Sequence, residues 1–269
     1  MHDDRNIDPA PESPKTSSAA RTPGRGGDTL VDRFRAVFAE RPEGAIFRFL
    51  VDGEGPPLSL TNAELDLRVR AVAATLRERV PAGERALILC PPGLDYVISF
   101  LACLYAKVIA VPAYPPDSVL FKRTLPRLLG VIEDARPAVV LATKAVVSIA
   151  GELAAHAPEL GRLDWQAVDE VDPAAGHGWR RPDVTADDVA FLQYTSGSTA
   201  RPKGVMVSHA NLISNVQIIL DRVYGHSPDN HLVIWLPPYH DMGLIGGLLT
   251  PAYAGFPVSF MAPVAFLKR

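Results

Sequence analysis

The chain predicts an α/β fold of mostly parallel strands flanked by helices, and three observations lead there. Short, wholly apolar runs occur at residues 86–90, 108–111 and 138–142. Stretches of helical periodicity, each about ten residues or more, lie between them. Proline or glycine closes the runs, as at Pro91-Pro92-Gly93 and Pro112. A strand covered on both faces needs no polar alternation, and helices placed between such strands carry the chain back for parallel pairing.

The elements follow in order from Thr29. Leu30, Phe34, Val37 and Phe38 share one helical face. Thr61-Asn62-Ala63-Glu64 reads as a capping box, opening a helix that buries Leu65, Val69, Val72, Ala73 and Leu76. Residues 86–90 form a buried strand, 95–106 a helix, and 108–111 a strand stopped at Pro112. A helix over 121–135, a strand over 138–142 and a short helix around 147–155 repeat the pattern. Residues 156–187, rich in Pro, Gly and Asp, read as surface loop with a weak strand near Trp165. The apolar runs 189–192 and 205–207 frame a loop from Tyr194 to Gly204. Ser208 is placed to cap a helix through Tyr224. A strand over 232–236 ends at Pro237-Pro238, and 258–261 is a further apolar run.

With 269 residues, the chain is long enough for one large domain or two smaller ones. A net charge of −3 gives no electrostatic footprint of a nucleic-acid binder. Cys90 and Cys103 sit in apolar surroundings outside any Cys-x-x-Cys motif, so buried, reduced thiols and a cytoplasmic location are expected. Residues 1–28, rich in Pro, Gly, Ser, Arg and Asp, are expected to form a disordered tail ahead of the domain at 29–269. No stretch approaches the ~18 apolar residues of a spanning helix.

The most informative segment is Tyr194-Thr-Ser-Gly-Ser-Thr-Ala-Arg-Pro-Lys-Gly204. Small and hydroxyl residues between two apolar runs make a poor core. They do make a loop whose amides and hydroxyls converge on one anion, with the Lys203 charge held behind Pro202. The order of residues is not that of a Walker A loop, in which Gly-Lys-Ser/Thr leads directly into a helix. An ordinary phosphotransferase is therefore disfavoured. A Ser/Thr-rich surface turn would have no need of Gly197, Pro202 and Gly204 framing the hydroxyls and the lysine.

This segment resembles the phosphate-binding signature of the adenylate-forming enzymes, which activate a carboxylate with ATP to give an acyl-adenylate and pyrophosphate. Two further segments, residues 100–116 (Phe-Leu-Ala-Cys-Leu-Tyr-Ala-Lys-Val-Ile-Ala-Val-Pro-Ala-Tyr-Pro-Pro) and 235–247 (Trp-Leu-Pro-Pro-Tyr-His-Asp-Met-Gly-Leu-Ile-Gly-Gly), are similar to the fatty acyl-AMP ligases. That branch loads fatty acids onto acyl carrier proteins of polyketide and lipopeptide pathways. The resemblance runs from about Thr29 to Arg269 and implies part of the large N-terminal domain of the adenylate-forming fold.

Carried over by position, the resemblance implies that Thr195, Ser196, Gly197, Ser198, Thr199, Lys203 and Gly204 embrace the β- and γ-phosphates of ATP. Lys203 would also offset charge as pyrophosphate leaves. His240 would stand beside the reacting carboxylate, although local pattern alone reads it as a capping or surface histidine. Asp241 is either catalytic or the cap of a helix starting near Gly243. Gly243, Gly246 and Gly247 would border the acyl channel or permit close helix–sheet packing. Mg²⁺ would come with the nucleotide, because His231 and His240 have no partner Cys or Glu at ligand spacing. The implied partners are a fatty acid and a phosphopantetheine-bearing carrier protein. An acyl-CoA synthetase and a non-catalytic fragment are the alternatives.

Departures from the family pattern carry expectations of their own. Ala200 and Arg201 fill the variable pair where many relatives place a glycine. Lys107 stands where relatives generally carry glycine. As a helix C-cap in the left-handed region it would cost roughly 1 kcal/mol. The chain stops at Phe266-Leu-Lys-Arg269 without turn or cap. The family's adenine-binding segment, ribose-binding aspartate, hinge and mobile C-terminal domain with its lysine do not occur in it. A truncated piece with negligible turnover on its own is expected.

Overall fold

The computed structural model describes residues 29–115, 121–195, 202–227 and 229–268. The tail expected over residues 1–28 lies outside them. In chain order the elements are α1 (Leu30–Glu40), β1 (Phe47–Leu50), β2 (Leu58–Ser59), α2 (Asn62–Arg79), β3 (Arg85–Ile88), α3 (Leu94–Ala106), β4 (Ile109–Pro112), α4 (Phe121–Ala135) and β5 (Val139–Ala142). There follow α5 (Lys144–Ser148), α6 (Ala150–His156), β6 (Asp164–Ala167), β7 (Val189–Thr195), β8 (Lys203–Ser208), α7 (His209–Ile219), β9 (Leu232–Ile234), α8 (Thr250–Ala254), β10 (Val258–Met261) and α9 (Pro263–Leu267). Two stretches, Leu220–Tyr224 and Met242–Leu249, are π-helical.

The strands form two sheets. The larger has the order β6-β5-β3-β4-β7-β8, parallel throughout except for the β7–β8 hairpin. The smaller has the order β2-β1-β10-β9, with only β2 antiparallel. The expected mostly parallel α/β architecture is therefore observed.

Side-chain alternation explains why the larger sheet's strands are apolar without a break. Ala86, Ile88, Val139, Leu141 and Phe191 point into one core, while Leu87, Leu89, Val140, Ala142 and Tyr194 point into another on the opposite face. The second core is closed by Leu128, Val131 and Ile132 of α4 and Leu153 of α6. The first extends to Phe47, Val258 and Phe260 of the smaller sheet, so a helical layer lies between the two sheets. α3 is its centre: from Tyr96 to Ala106 every residue is buried. A helix buried on all sides needs an apolar sequence all round, and that is what α3 has.

Helix ends follow sequence chemistry. Thr29, Thr61 and Ser208 each form a capping box with the residue three positions on. Lys107 caps α3 in the left-handed region, at φ 58°. Its ammonium offsets that strain by reaching the Asp183 carbonyl at 2.6 Å and the Asp188 carboxylate at 3.0 Å. The single short helix expected around 147–155 is instead two, α5 and α6, meeting at Ile149. The helix after Ser208 is α-helical only to Ile219, and its last turn widens to π geometry.

Cys90 and Cys103 are free and buried. Burial pushes the Cys90 thiol up to about 12 and raises that of Cys103 as well. Neither is a nucleophile at neutral pH. Among the described residues no helix is long and apolar enough to cross a membrane.

Candidate functional site

The two ends of the hydroxyl-rich segment belong to an antiparallel pair of strands. Tyr194 and Thr195 are the last residues of β7, Lys203 and Gly204 the first of β8, and the pairs Tyr194↔Gly204 and Thr195↔Lys203 face each other. The pairing extends past the apolar runs because β8 is an edge strand and tolerates polar, exposed residues. Ser196, Gly197, Ser198 and Thr199, with Ala200 and Arg201, lie outside the described residues. Thr195 and Lys203 are both exposed at the open end of the hairpin.

The stems of this hairpin are tied to α4. The Tyr194 hydroxyl donates to Asp134 Oδ2 at 2.5 Å, and burial together with that carboxylate raises the phenol's pKa. Pro202 packs against Gly130, where an added Cβ would lie 2.9 Å from the proline ring. Gly204 has a packing reason of its own, since a Cβ there would stand 2.9 Å from the Tyr194 ring. Glycine at that position lets the tyrosine cross the strand pair.

A cleft of about 110 Å³ opens beside the hairpin, lined among others by Tyr114, Arg127, Tyr194, Tyr239 and His240. Pro112 and Ala113, at the end of β4, also face it. The cleft thus sits at the carboxyl ends of β4 and β7, the edge at which open α/β sheets bind ligands. Tyr114 and Tyr239 pack with ring centroids 4.8 Å apart, and burial, followed by Tyr114, raises the Tyr239 phenol's pKa.

His240 is exposed, and its backbone is held tightly. Its N–H donates to the Pro237 carbonyl at 3.1 Å, and its own carbonyl accepts from Leu244 at 2.8 Å. Immediately upstream, the fully buried Tyr96 of α3 donates its hydroxyl to the Pro238 carbonyl at 2.6 Å. Gln193 adds a longer bond from Nε2 to the Tyr239 carbonyl at 3.4 Å. The loop that presents His240 is therefore clamped from both the central helix and β7.

Asp241 caps the following helix, accepting from the Met242 N–H at 2.7 Å. Of the three glycines, two have a packing cause. A Cβ at Gly243 would fall 2.1 Å from the Pro237 carbonyl oxygen, and one at Gly247 would fall 2.5 Å from Ile234 Cδ1. At Gly246 the nearest atom would be 3.7 Å away. His231 is hydrogen-bonded to Ser259 at 2.9 Å. Among the described residues no three His, Cys, Asp or Glu side chains are grouped to hold a metal ion. No cage for magnesium is assigned to them, and no step below runs through the ion.

Arg127, Tyr114 and Tyr239 escaped the sequence reading as site residues. A signal for the first was present. Thr124, Arg127, Leu128 and Val131 recur at three- and four-residue spacing and all line the cleft.

The two sheets with their helical layer, and a cleft at the carboxyl edge of the larger one, match the N-terminal domain of the adenylate-forming fold. The chain belongs to the AMP-binding enzyme family, which it matches over residues 34–269. It is 40% identical over 242 residues to the medium-chain-fatty-acid–acyl-carrier-protein ligase JamA of Moorena producens (strain JHB), covering 90% of this chain and 41% of that relative. It is 37% identical over 240 residues to the long-chain-fatty-acid–AMP ligase FadD32 of Mycolicibacterium smegmatis, covering 89% of this chain and 37% of that protein. Among solved structures, the fatty acyl-adenylate ligase of L. pneumophila, in complex with acyl adenylate and pyrophosphate, superposes with a TM-score of 0.79 at 36% identity. That match covers 90% of this chain and 41% of the other. The chain spans about two fifths of the length of these relatives.

Proposed function

We propose that the protein to which this chain belongs activates a fatty acid with ATP and passes the acyl group to a phosphopantetheine thiol of a carrier protein. A carboxylate oxygen attacks the α-phosphorus, the bond to the β-phosphate breaks, and pyrophosphate leaves. The observation that carries this reading is the cleft at the carboxyl edge. It brings His240 into one lining with Tyr194, the first residue of the phosphate motif, although the two lie far apart in the chain.

In this reading Thr195 and Lys203, with Ser196, Gly197, Ser198, Thr199 and Gly204, hold the β- and γ-phosphates. Hydroxyls and amides supply directed hydrogen bonds, and lysine supplies a point charge that gains in value as negative charge grows on the leaving group. His240, fixed by its clamped loop, orients the carboxylate. Asp241 serves as the helix cap, and magnesium arrives bound to the nucleotide.

The test is pyrophosphate exchange into ATP by the full-length protein across a series of fatty acids. Exchange dependent on a fatty acid is expected, and no exchange with any chain length refutes the reading. A second acceptor is kept open by one relative, the fatty-acid–CoA ligase fadD25 of Mycobacterium tuberculosis (so named putatively), at 39% identity over 229 residues. Supplying coenzyme A and a phosphopantetheinylated carrier protein in parallel separates the two acceptors.

A further inference from the structure

We propose that Arg127 is a second cationic contact for the polyphosphate, acting with Lys203 on the pyrophosphate that leaves. This rests on the acyl-adenylate reading above and adds a residue to it. Arg127 lines the cleft that Tyr194 and His240 also line, at the carboxyl edge of the larger sheet. It is exposed, and among the described residues it has no carboxylate partner. The nearest acid with a fixed role on the same helix, Asp134, is occupied by the Tyr194 hydroxyl.

Its position relative to the hairpin is set by two independent ties. Asp134 holds Tyr194 on one stem, and Gly130 receives Pro202 on the other. Arg127 lies about one turn before Gly130 on the same helix. A cation carried on the helix that both stems grip keeps its register with the phosphate motif when other parts of the protein move.

Chemistry separates the two anions in such a site. A guanidinium presents a planar fork of donors that suits phosphate oxygens, and phosphate carries more charge than a single carboxylate. The ties to α4 come from residues flanking the phosphate motif. The carboxylate side is served by His240 on a different loop. Arg127 is therefore assigned to the phosphates.

The experiment compares full-length wild type, Arg127→Ala and Arg127→Lys in pyrophosphate exchange, with direct titration of inorganic pyrophosphate onto each. Arg127→Ala is expected to raise the KM for ATP and weaken pyrophosphate binding by about tenfold or more, with the fatty-acid KM unchanged and partial recovery in Arg127→Lys. Unchanged ATP and pyrophosphate parameters overturn the assignment, and so does an effect confined to the fatty-acid KM. If wild type shows no exchange, the underlying reading fails instead. The titration still judges Arg127, because equal pyrophosphate affinity in wild type and variants overturns it. Should Arg127→Ala not fold, Arg127→Gln and Arg127→Lys provide the same comparison.

Discussion

Replacing Tyr96 by Phe removes one oxygen and leaves the ring. The hydroxyl is fully buried and donates at 2.6 Å to the Pro238 carbonyl, itself in a buried residue. Phenylalanine fills the same space, so no cavity is created and the transfer term is small. What remains is a buried carbonyl that has lost its donor, a cost of about 1–3 kcal/mol. With a urea m-value of about 3 kcal/mol/M for a chain of this size, a loss of about 2 kcal/mol lowers the unfolding midpoint by roughly 0.7 M. The assay is urea unfolding of the 269-residue chain, followed by circular dichroism. The slope should stay constant while the midpoint falls. A midpoint shift below about 0.2 M, equivalent to under 1 kcal/mol, would refute the claim that this bond clamps the loop carrying His240.

Gly243→Ala is expected to destabilise by about 3 kcal/mol, because its Cβ meets backbone at 2.1 Å and no side-chain rotation relieves that contact. Gly246→Ala, with 3.7 Å of clearance, should be neutral or slightly stabilising; thermal melts of the two variants giving equal losses would contradict the packing argument. His209 is buried and its pKa is depressed to about 4, chiefly by desolvation, against the opposing pull of Asp188 and Asp32. Its neutral form is the folded one. The stability it holds is present above the unfolded pKa of about 6.5 and is lost as pH falls toward 4, by up to about 3 kcal/mol. His209→Asn should flatten the stability profile between those limits, and parallel profiles would disprove the assignment. Cys90 and Cys103 should resist a thiol reagent in the native chain at pH 8 and react fully in denaturant, whereas rapid native labelling would contradict their burial.

Much of the larger sheet was legible because its strands are covered on both faces, which makes 86–90 and 138–142 apolar without interruption. The capping box at Thr61 and the helix cap at Ser208 were legible because they are local. β1, Phe-Arg-Phe-Leu, was not read as a strand: it is short, and its main partner, β10, lies at the other end of the chain. The division into two sheets was hidden for the same reason, since strand order is decided by distant pairings. The π turns were hidden because the pattern of apolar residues in Leu220–Tyr224 and Met242–Leu249 is compatible with an ordinary helix. At the site, the hydroxyl-rich segment was legible as a connection between two strands, because apolar runs flank it on both sides. The cleft was not, because its walls come from the end of β4, one face of α4, β7 and the turn at Tyr239.

The β7–β8 hairpin has a kinetic consequence. Its pairs, down to Thr195↔Lys203, join neighbouring parts of the chain, and hairpins of this kind form in about 1–10 μs. The smaller sheet instead needs Phe47 to meet Val258, a pairing that waits until most of the chain is ordered. The frame of the hydroxyl-rich segment is thus expected to form early. The loop carrying His240, which follows β9 of the smaller sheet, is expected to settle later. The cleft that Tyr194 and His240 share therefore needs both sheets in place, so its closure is expected to report completed folding.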